Sequence, residues 1–251
     1  MGPLIILHHD SHCIAVLKPA GLHVHPTAES PGEASCLPRL RDQLGRRVYP
    51  VHRLDRATAG VLLFALTPAV AADLASQFRE HTIAKDYLAV VRGFIPAAGR
   101  IDHPLGNRSG RPSPPAVTEY RRLATLELPR PVGRLPSARF SLVTASPRTG
   151  RRHQLRRHFH HVSHPVIGDT TYGDGSQNRF ARTEFGLSGL LLFARRIAFR
   201  HPHTGEPVTV EAAPPAAWAA LLAAFGWSDG SAGGTSGGGS GLFLANPRPA
   251  P

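Results

Sequence analysis

The chain has 251 residues, 41% of them hydrophobic, which is enough for one large domain with a sizeable core. Its 29 Lys and Arg against 17 Asp and Glu leave a formal charge of +12, which points to a polyanionic partner, RNA or DNA, ahead of an acidic membrane surface. No apolar run reaches the roughly 20 residues of a spanning helix. The start lacks the pattern of a secretory signal, and the two cysteines, Cys13 and Cys36, have no Cys-x-x-Cys spacing, so no membrane is expected and the composition fits a reducing cytoplasm.

In chain order, residues 3–7 and 14–17 are two β-rich runs around the turn residues Asp10-Ser11, a predicted hairpin. Residues 26–36 are rich in Pro, Gly and Ser and read as a loop. Leu37, Leu40 and Leu44 then share one face of a short helix. Val61–Leu66 is an apolar strand, and Thr67-Pro68 after it is an N-cap with proline in the first helical turn. Val70, Leu74 and Phe78 continue at helical spacing. Ile83–Val91 alternates as a strand, with Tyr87, Ala89 and Val91 on one face and Leu88 and Val90 on the other. Residues 96–115 read as a long basic loop, and 117–124 and 138–145 as strands. Leu155, Phe159 and Val162 form a narrow helical stripe, 189–199 and 208–211 are further strands, and 214–227 is an alanine-rich helix. Many strands mixed with a few separate helices predict an α+β domain with mostly antiparallel pairing over residues 1–227. Residues 228–251, mostly Gly, Ser, Asn and Pro, read as a disordered tail.

Three segments carry the residues suited to chemistry. Val51-His-Arg-Leu-Asp-Arg56 sets Asp55 between Arg53 and Arg56, whose positive charge favours the ionised carboxylate. Asp55 therefore reads either as a nucleophile or as an acid paired with its neighbours at the start of a strand. Lys85-Asp-Tyr87 places a tyrosine on the strand face shared with Ala89 and Val91, open to a cleft position, but on its own it reads as a structural tyrosine ahead of a catalytic one. Arg148-Thr-Gly-Arg-Arg-His-Gln-Leu-Arg-Arg157 packs five arginines into ten residues. On a helix starting near His153, Arg156 and Arg157 point to different sides. Arg151, Arg152 and Arg157 read as a basic face against a nucleic-acid backbone.

His153, His158, His160, His161 and His164 invite a metal, but the segment has no acidic residue before Asp169 and its arginines repel a divalent cation. There is no His-Glu-x-x-His, no Gly-x-Ser-x-Gly and no glycine-rich phosphate loop, so no metal and no cofactor is expected.

Taken together, His52-Arg-Leu-Asp55, Lys85-x-Tyr87 and Arg148-Thr-Gly-Arg-x-His-Gln-Leu-Arg156 resemble the RluA-type family of RNA pseudouridine synthases. Lys18-Pro-Ala-Gly-Leu-His-Val-His-Pro26, His164-Pro-Val-Ile-Gly-Asp169 and His201-Pro-x-Thr-Gly205 extend the likeness, in family order, to about residue 227. No additional S4-type RNA-binding module is seen. The resemblance implies the pseudouridine synthase fold and a cofactor-free isomerase that flips a uridine out of its helix; a monomer is the default expectation, which no residue pattern decides. It implies Asp55 as nucleophile, Arg156 as the arginine paired with it, Tyr87 stacked on the target base, and Arg53 in the gap the base leaves. Arg56, Arg151, Arg152 and Arg157 join Arg53 as expected RNA-binding residues. Within the family, Arg41-Asp-Gln-Leu-Gly45, Gln177-Asn-Arg179, Phe185-Gly-Leu187 and Phe225-Gly-Trp227 are most similar to members that act on tRNA at uridine 65. An rRNA-directed relative and a non-catalytic RNA-binding protein are the alternatives. Two departures stand out: Thr58-Ala59-Gly60 replaces the usual Thr-Ser-Gly, and Phe193 stands where relatives often carry histidine.

Overall fold

The computed structural model describes residues 2–26, 32–106, 113–187 and 189–227. The expected tail at 228–251, and the middles of two expected loops at 27–31 and 107–112, lie outside the described residues.

The predicted hairpin is β1 (Ile5–His9) with β2 (Cys13–Lys18). Helix α1 (Cys36–Leu44) follows and stops at Gly45, whose φ of 62° is a left-handed conformation that glycine adopts without steric cost. A two-residue β3 (Tyr49–Pro50) and β4 (Ala59–Ala65) flank the Asp55 loop. Helix α2 (Pro68–Arg79) starts as predicted, with the Thr67 hydroxyl accepting the Val70 N–H. Then come β5 (Ala84–Arg92), β6 (Ala98–Asp102), β7 (Val117–Leu128) and β8 (Ala138–Pro147). Helices α3 (Gln154–His161) and α4 (Gly175–Phe185), strands β9 (Leu192–Arg200) and β10 (Pro207–Glu211), and helix α5 (Ala216–Ala224) complete the described chain.

These strands form one sheet in the order β1-β2-β4-β9-β5-β8-β7-β6, with β3 beside β4 and β10 beside β9. Pairing is antiparallel except between β4 and β9, which run parallel through Ala59–Phe193 and Gly60–Ala194. At that join Gly60 has φ of 130°, and a Cβ there would overlap the backbone of Ala194. The α+β, mostly antiparallel expectation therefore holds. Two elements differ from it. Part of the expected 96–115 loop is β6, an edge strand that pairs only with β7 and buries Ile101 alone, so it shows no apolar alternation. Helix α4 carries only a short apolar stripe, Phe180, Ala181 and Phe185, packed against the main core. It buries Gln177 and Ala181 and is started by Asp174, whose carboxylate accepts the Ser176 and Gln177 N–H groups.

Strand alternation sorts the core. Cys13, Ala15, Val61, Leu63, Leu88 and Val90 face a large cluster closed by Leu74 of α2 and Trp218, Leu221 and Leu222 of α5. The opposite face carries two separate clusters. Ile14, Val16, Leu62 and Phe64 pack under Leu40 of α1. Ala89, Val91, Val143 and Ala145 pack under Leu155 and Phe159 of α3. Burying a side chain such as Phe159 contributes about 2 kcal/mol, which fixes α3 on the sheet. Tyr87 touches both of these clusters and so marks the cleft between them.

Candidate active site

The cleft is built from four segments. The first is the β3–β4 loop. His52 turns inward, stacks on Phe78 and accepts the Leu63 N–H at 2.9 Å through Nε2. Burial, with the nearby Lys85 charge, pushes its imidazole down to about 3, so it stays neutral and free to accept. Leu54 is buried beside Val48 and Leu62. With His52 and Leu54 anchored inward, Arg53 is exposed and Asp55 faces the cleft, its side chain 19% exposed. The Thr58 N–H closes a turn on the Asp55 carbonyl at 3.0 Å.

The second segment is the end of β2. Lys18 is fully buried, and its Nζ donates to the carbonyls of Pro19 (2.9 Å), Leu22 (2.7 Å) and Arg56 (3.1 Å). It staples the Asp55 loop to the turn after β2. Burial pulls the ammonium down to about 8, against the pull of Asp55 and with the push of Arg56.

The third is α3 with the chain that follows it. Arg156 is buried and bridges two carboxylates. Nε and Nη2 grip Asp169 at 2.7 and 2.8 Å, and Nη1 reaches Asp55 Oδ2 at 3.3 Å. Asp169 Oδ1 also accepts the N–H groups of Thr171 and Tyr172. Burial would raise the Asp169 carboxyl, but Arg156 and these N–H groups outweigh it and hold the group below its ordinary value. His153, with a left-handed φ of 54°, sends Nε2 to 3.9 Å from Asp55 Oδ1. The fourth segment is β5, where a bulge between Asp86 and Tyr87 turns Tyr87 into the cleft. Burial, with the Asp55 charge adding to it, pushes the Tyr87 phenol above its ordinary value, so it remains a neutral donor.

The structure thus brings Asp55, Tyr87 and Arg156 together. The five other arginines do not form one group. Arg53 is exposed and makes no hydrogen bond or ion pair among the described residues. Arg56 lies on the Gly21 carbonyl and Glu33. Arg151 donates to the Pro115 carbonyl and Arg157 to that of Gly106, so both are engaged with neighbouring backbone. Arg152 is exposed beside His153. Neither Arg53 nor Arg56 pairs with Asp55; the cation on it is Arg156.

Sequence reasoning passed over Lys18, His153, Asp169 and Tyr172 as parts of the site. Signals for two were present. Lys18 ends an otherwise apolar strand, and Asp169 is the first acid after a run of arginines.

A carboxylate in contact with a buried arginine, beside a neutral tyrosine in a cleft edged by exposed arginines, defines a site for nucleophilic or acid–base work on a polyanion. The fold has solved counterparts. The human RNA pseudouridylate synthase domain containing 1 aligns with a TM-score of 0.67 at 27% identity, covering 86% of this chain and 87% of that one. The human domain containing 4 protein aligns with a TM-score of 0.67 at 26% identity over 87% and 92%.

The RNA pseudouridylate synthase family profile matches residues 12–161, and the chain belongs to that family of isomerases. Its curated relatives include the tRNA pseudouridine synthase C of Yersinia pestis, 44% identical over 90% of this chain and 92% of the relative. The protein of the same name from Vibrio cholerae is 41% identical over 90% and 97%.

Proposed function

We propose that this pseudouridine synthase acts on tRNA, at uridine 65 in the T stem, with Asp55 as its nucleophile. The observation that carries the reading is the Arg156–Asp55 contact beside Tyr87, in a chain whose relatives at 41–45% identity bear tRNA pseudouridine synthase names.

The reaction breaks the bond from uracil N1 to ribose C1′ and joins C5 to C1′; N1 gains a proton and C5 loses one. Nothing is oxidised and no water is consumed. The base must first leave its stack, at a cost of a few kcal/mol. Exposed Arg53 fits the vacated space and offsets part of that cost. Asp55 stabilises or traps the electron-poor centre created as the glycosidic bond opens. Arg156 holds it in line, and Tyr87 stacks on the free base and is placed for the proton at C5. Arg152 and the other exposed arginines supply phosphate contacts, so affinity falls steeply with salt. Residues 1–227 form the catalytic domain, and the chain works as a monomer in the cytoplasm.

The test is to map pseudouridines in total RNA from cells with and without the gene, then restore the gene as wild type and as Asp55→Ala. Loss of the tRNA T-stem site alone, restored only by the wild type, is expected. Loss of an rRNA site with every tRNA site intact would overturn the substrate, and restoration by Asp55→Ala would overturn the mechanism.

A further inference from the structure

Tyr172 addresses three members of the site at once. Its backbone N–H binds Asp169 Oδ1 at 3.0 Å. Its ring lies under the Arg156 guanidinium, 5.2 Å from carbon to ring centre, in cation–π range. Its hydroxyl is 3.1 Å from His153 Nδ1. His153 is the odd residue of α3. It stands at the N-cap position yet makes no side-chain capping bond, and it has the positive φ that non-glycine residues adopt only at some cost. That backbone aims its ring at Asp55 instead of at the helix.

The chemistry of the pair selects one tautomer. If the Tyr172 hydroxyl donates to Nδ1, the proton of neutral His153 is on Nε2, directed at Asp55 Oδ1. In the other tautomer a lone pair would face a carboxylate. Arg156 touches only Oδ2 of Asp55, through one bond of 3.3 Å, so a single donor leaves the carboxylate plane free to rotate. Nε2 at 3.9 Å from Oδ1 stands just outside hydrogen-bond distance, and such bonds are commonly long before substrate arrives.

We propose that Tyr172 and His153 are positioning residues: Tyr172 fixes the imidazole so that its Nε2–H holds the second oxygen of Asp55 and locks the nucleophile's orientation. Neutrality matters to this arrangement. His153 faces Asp55 from the β3–β4 loop, Asp169 and Tyr172 from the chain after α3, and Arg152 and Arg156 from its own segment. Burial first, then the two arginines, press its imidazole below its ordinary value, with Asp55 opposing. Once protonated on acidification, it would pair with Asp55 as a cation and compete with Arg156 for the charge the reaction needs. An acid limb in the activity follows from the titration of His153.

The proposal rests on Asp55 being the nucleophile, and its test separates the two. Pseudouridine formation is followed by tritium release from a tRNA transcript carrying C5-tritiated uridine, from pH 5 to 8.5, together with a melting curve for each variant. Tyr172→Phe, which keeps the ring and loses only the hydroxyl, is expected to lower kcat by about tenfold with KM within twofold. His153→Leu is expected to lower kcat by about 100-fold. His153→Gln, whose amide N–H replaces the donor but does not titrate, regains about tenfold of that loss and flattens the acid limb. Losses confined to KM, kcat of Tyr172→Phe within twofold of wild type, or an unchanged acid limb in His153→Gln would overturn it. Asp55→Asn is run beside them. If it remains active the nucleophile assignment itself fails, whereas an inactive Asp55→Asn with wild-type behaviour in the other variants removes only the present inference.

Discussion

Two aspartates near opposite ends of the β2–β4 pair show how differently a carboxylate can be used. Asp10, in the turn between β1 and β2, is saturated. Oδ1 accepts the N–H groups of His12 (2.7 Å) and Cys13 (2.8 Å), and Oδ2 lies within 2.8 Å of His8 Nε2, 3.2 Å of His201 Nε2 and 3.5 Å of Cys13 Sγ. His201 Nδ1 accepts the N–H groups of His203 and Thr204, so its proton is on Nε2 and is given to Asp10. The Cys13 thiol, pushed up to about 12 by burial and then by Asp10, also keeps its proton. Burial alone would raise the Asp10 carboxyl, yet the N–H groups of Cys13 and His12 and the side chains of His8 and Cys13 hold it far below its ordinary value. This cluster offers protons to one carboxylate and ties the first hairpin to the β9–β10 turn. Asp55 has a single long bond to Arg156 and an imidazole still out of reach. A carboxylate with every lone pair engaged stabilises the fold; one left short of partners in a cleft remains available for bond making.

The strongest way to break this contrast is to neutralise both acids. Asp55→Asn is expected to lower turnover by about 10³-fold or more, while the melting temperature moves little because few bonds are lost. Arg156 held by Asp169 comes next. Asp169→Asn leaves a buried guanidinium without its main partner and is expected to cost about 3–5 kcal/mol in a urea melt, with turnover falling as Arg156 loses its aim. Asp10→Asn should reverse the Asp55 result, with a stability loss of about 2 kcal/mol and kcat within about twofold of wild type. The effect that is smallest at neutral pH, because it appears only on acidification, is that of His52. His52 binds its proton near 6.5 when unfolded and near 3 when folded, so between those values the unfolded chain holds more protons. Its contribution is undiminished above pH 6.5 and declines as pH falls toward 3, by about 5 kcal/mol in all. Urea melts across that range should show a shallower decline for His52→Gln, which still accepts the Leu63 N–H but does not titrate.

What was readable in the sequence follows from periodicity and local chemistry. The first hairpin, the capped start of α2, and the division of β5 into a Tyr87-Ala89-Val91 face and a Leu88-Val90 face all come from alternation or from Thr67-Pro68, and the structure has each of them. Strand β6 buries one residue, too thin an apolar signal to see, and in α4 the signal is confined to Phe180, Ala181 and Phe185. At the site, the motifs located Asp55, Tyr87 and Arg156. The way these residues are held was hidden, because Asp169, Tyr172 and Lys18 act through backbone groups and across distant segments. The flanking arginines illustrate the limit. Adjacent in sequence to Asp55, Arg53 and Arg56 turn away from it, because the inward anchors His52 and Leu54 set which side chains enter the cleft.

The parallel join at Gly60 and Ala194 has a kinetic consequence. It unites the portion of the sheet that carries Asp55 with the portion that carries Arg156, two residues 101 positions apart in the chain. Local hairpins and helices can form early, but this seam waits for a long loop to close, and such closure is slow. The reactive pair therefore comes into existence only once this long-range closure is made. In a refolding experiment, recovered turnover should follow the slowest phase and lag behind the return of helix and hairpin signals. A chain emerging from the ribosome would then be silent toward RNA chemistry until β9 has been made and has found β4.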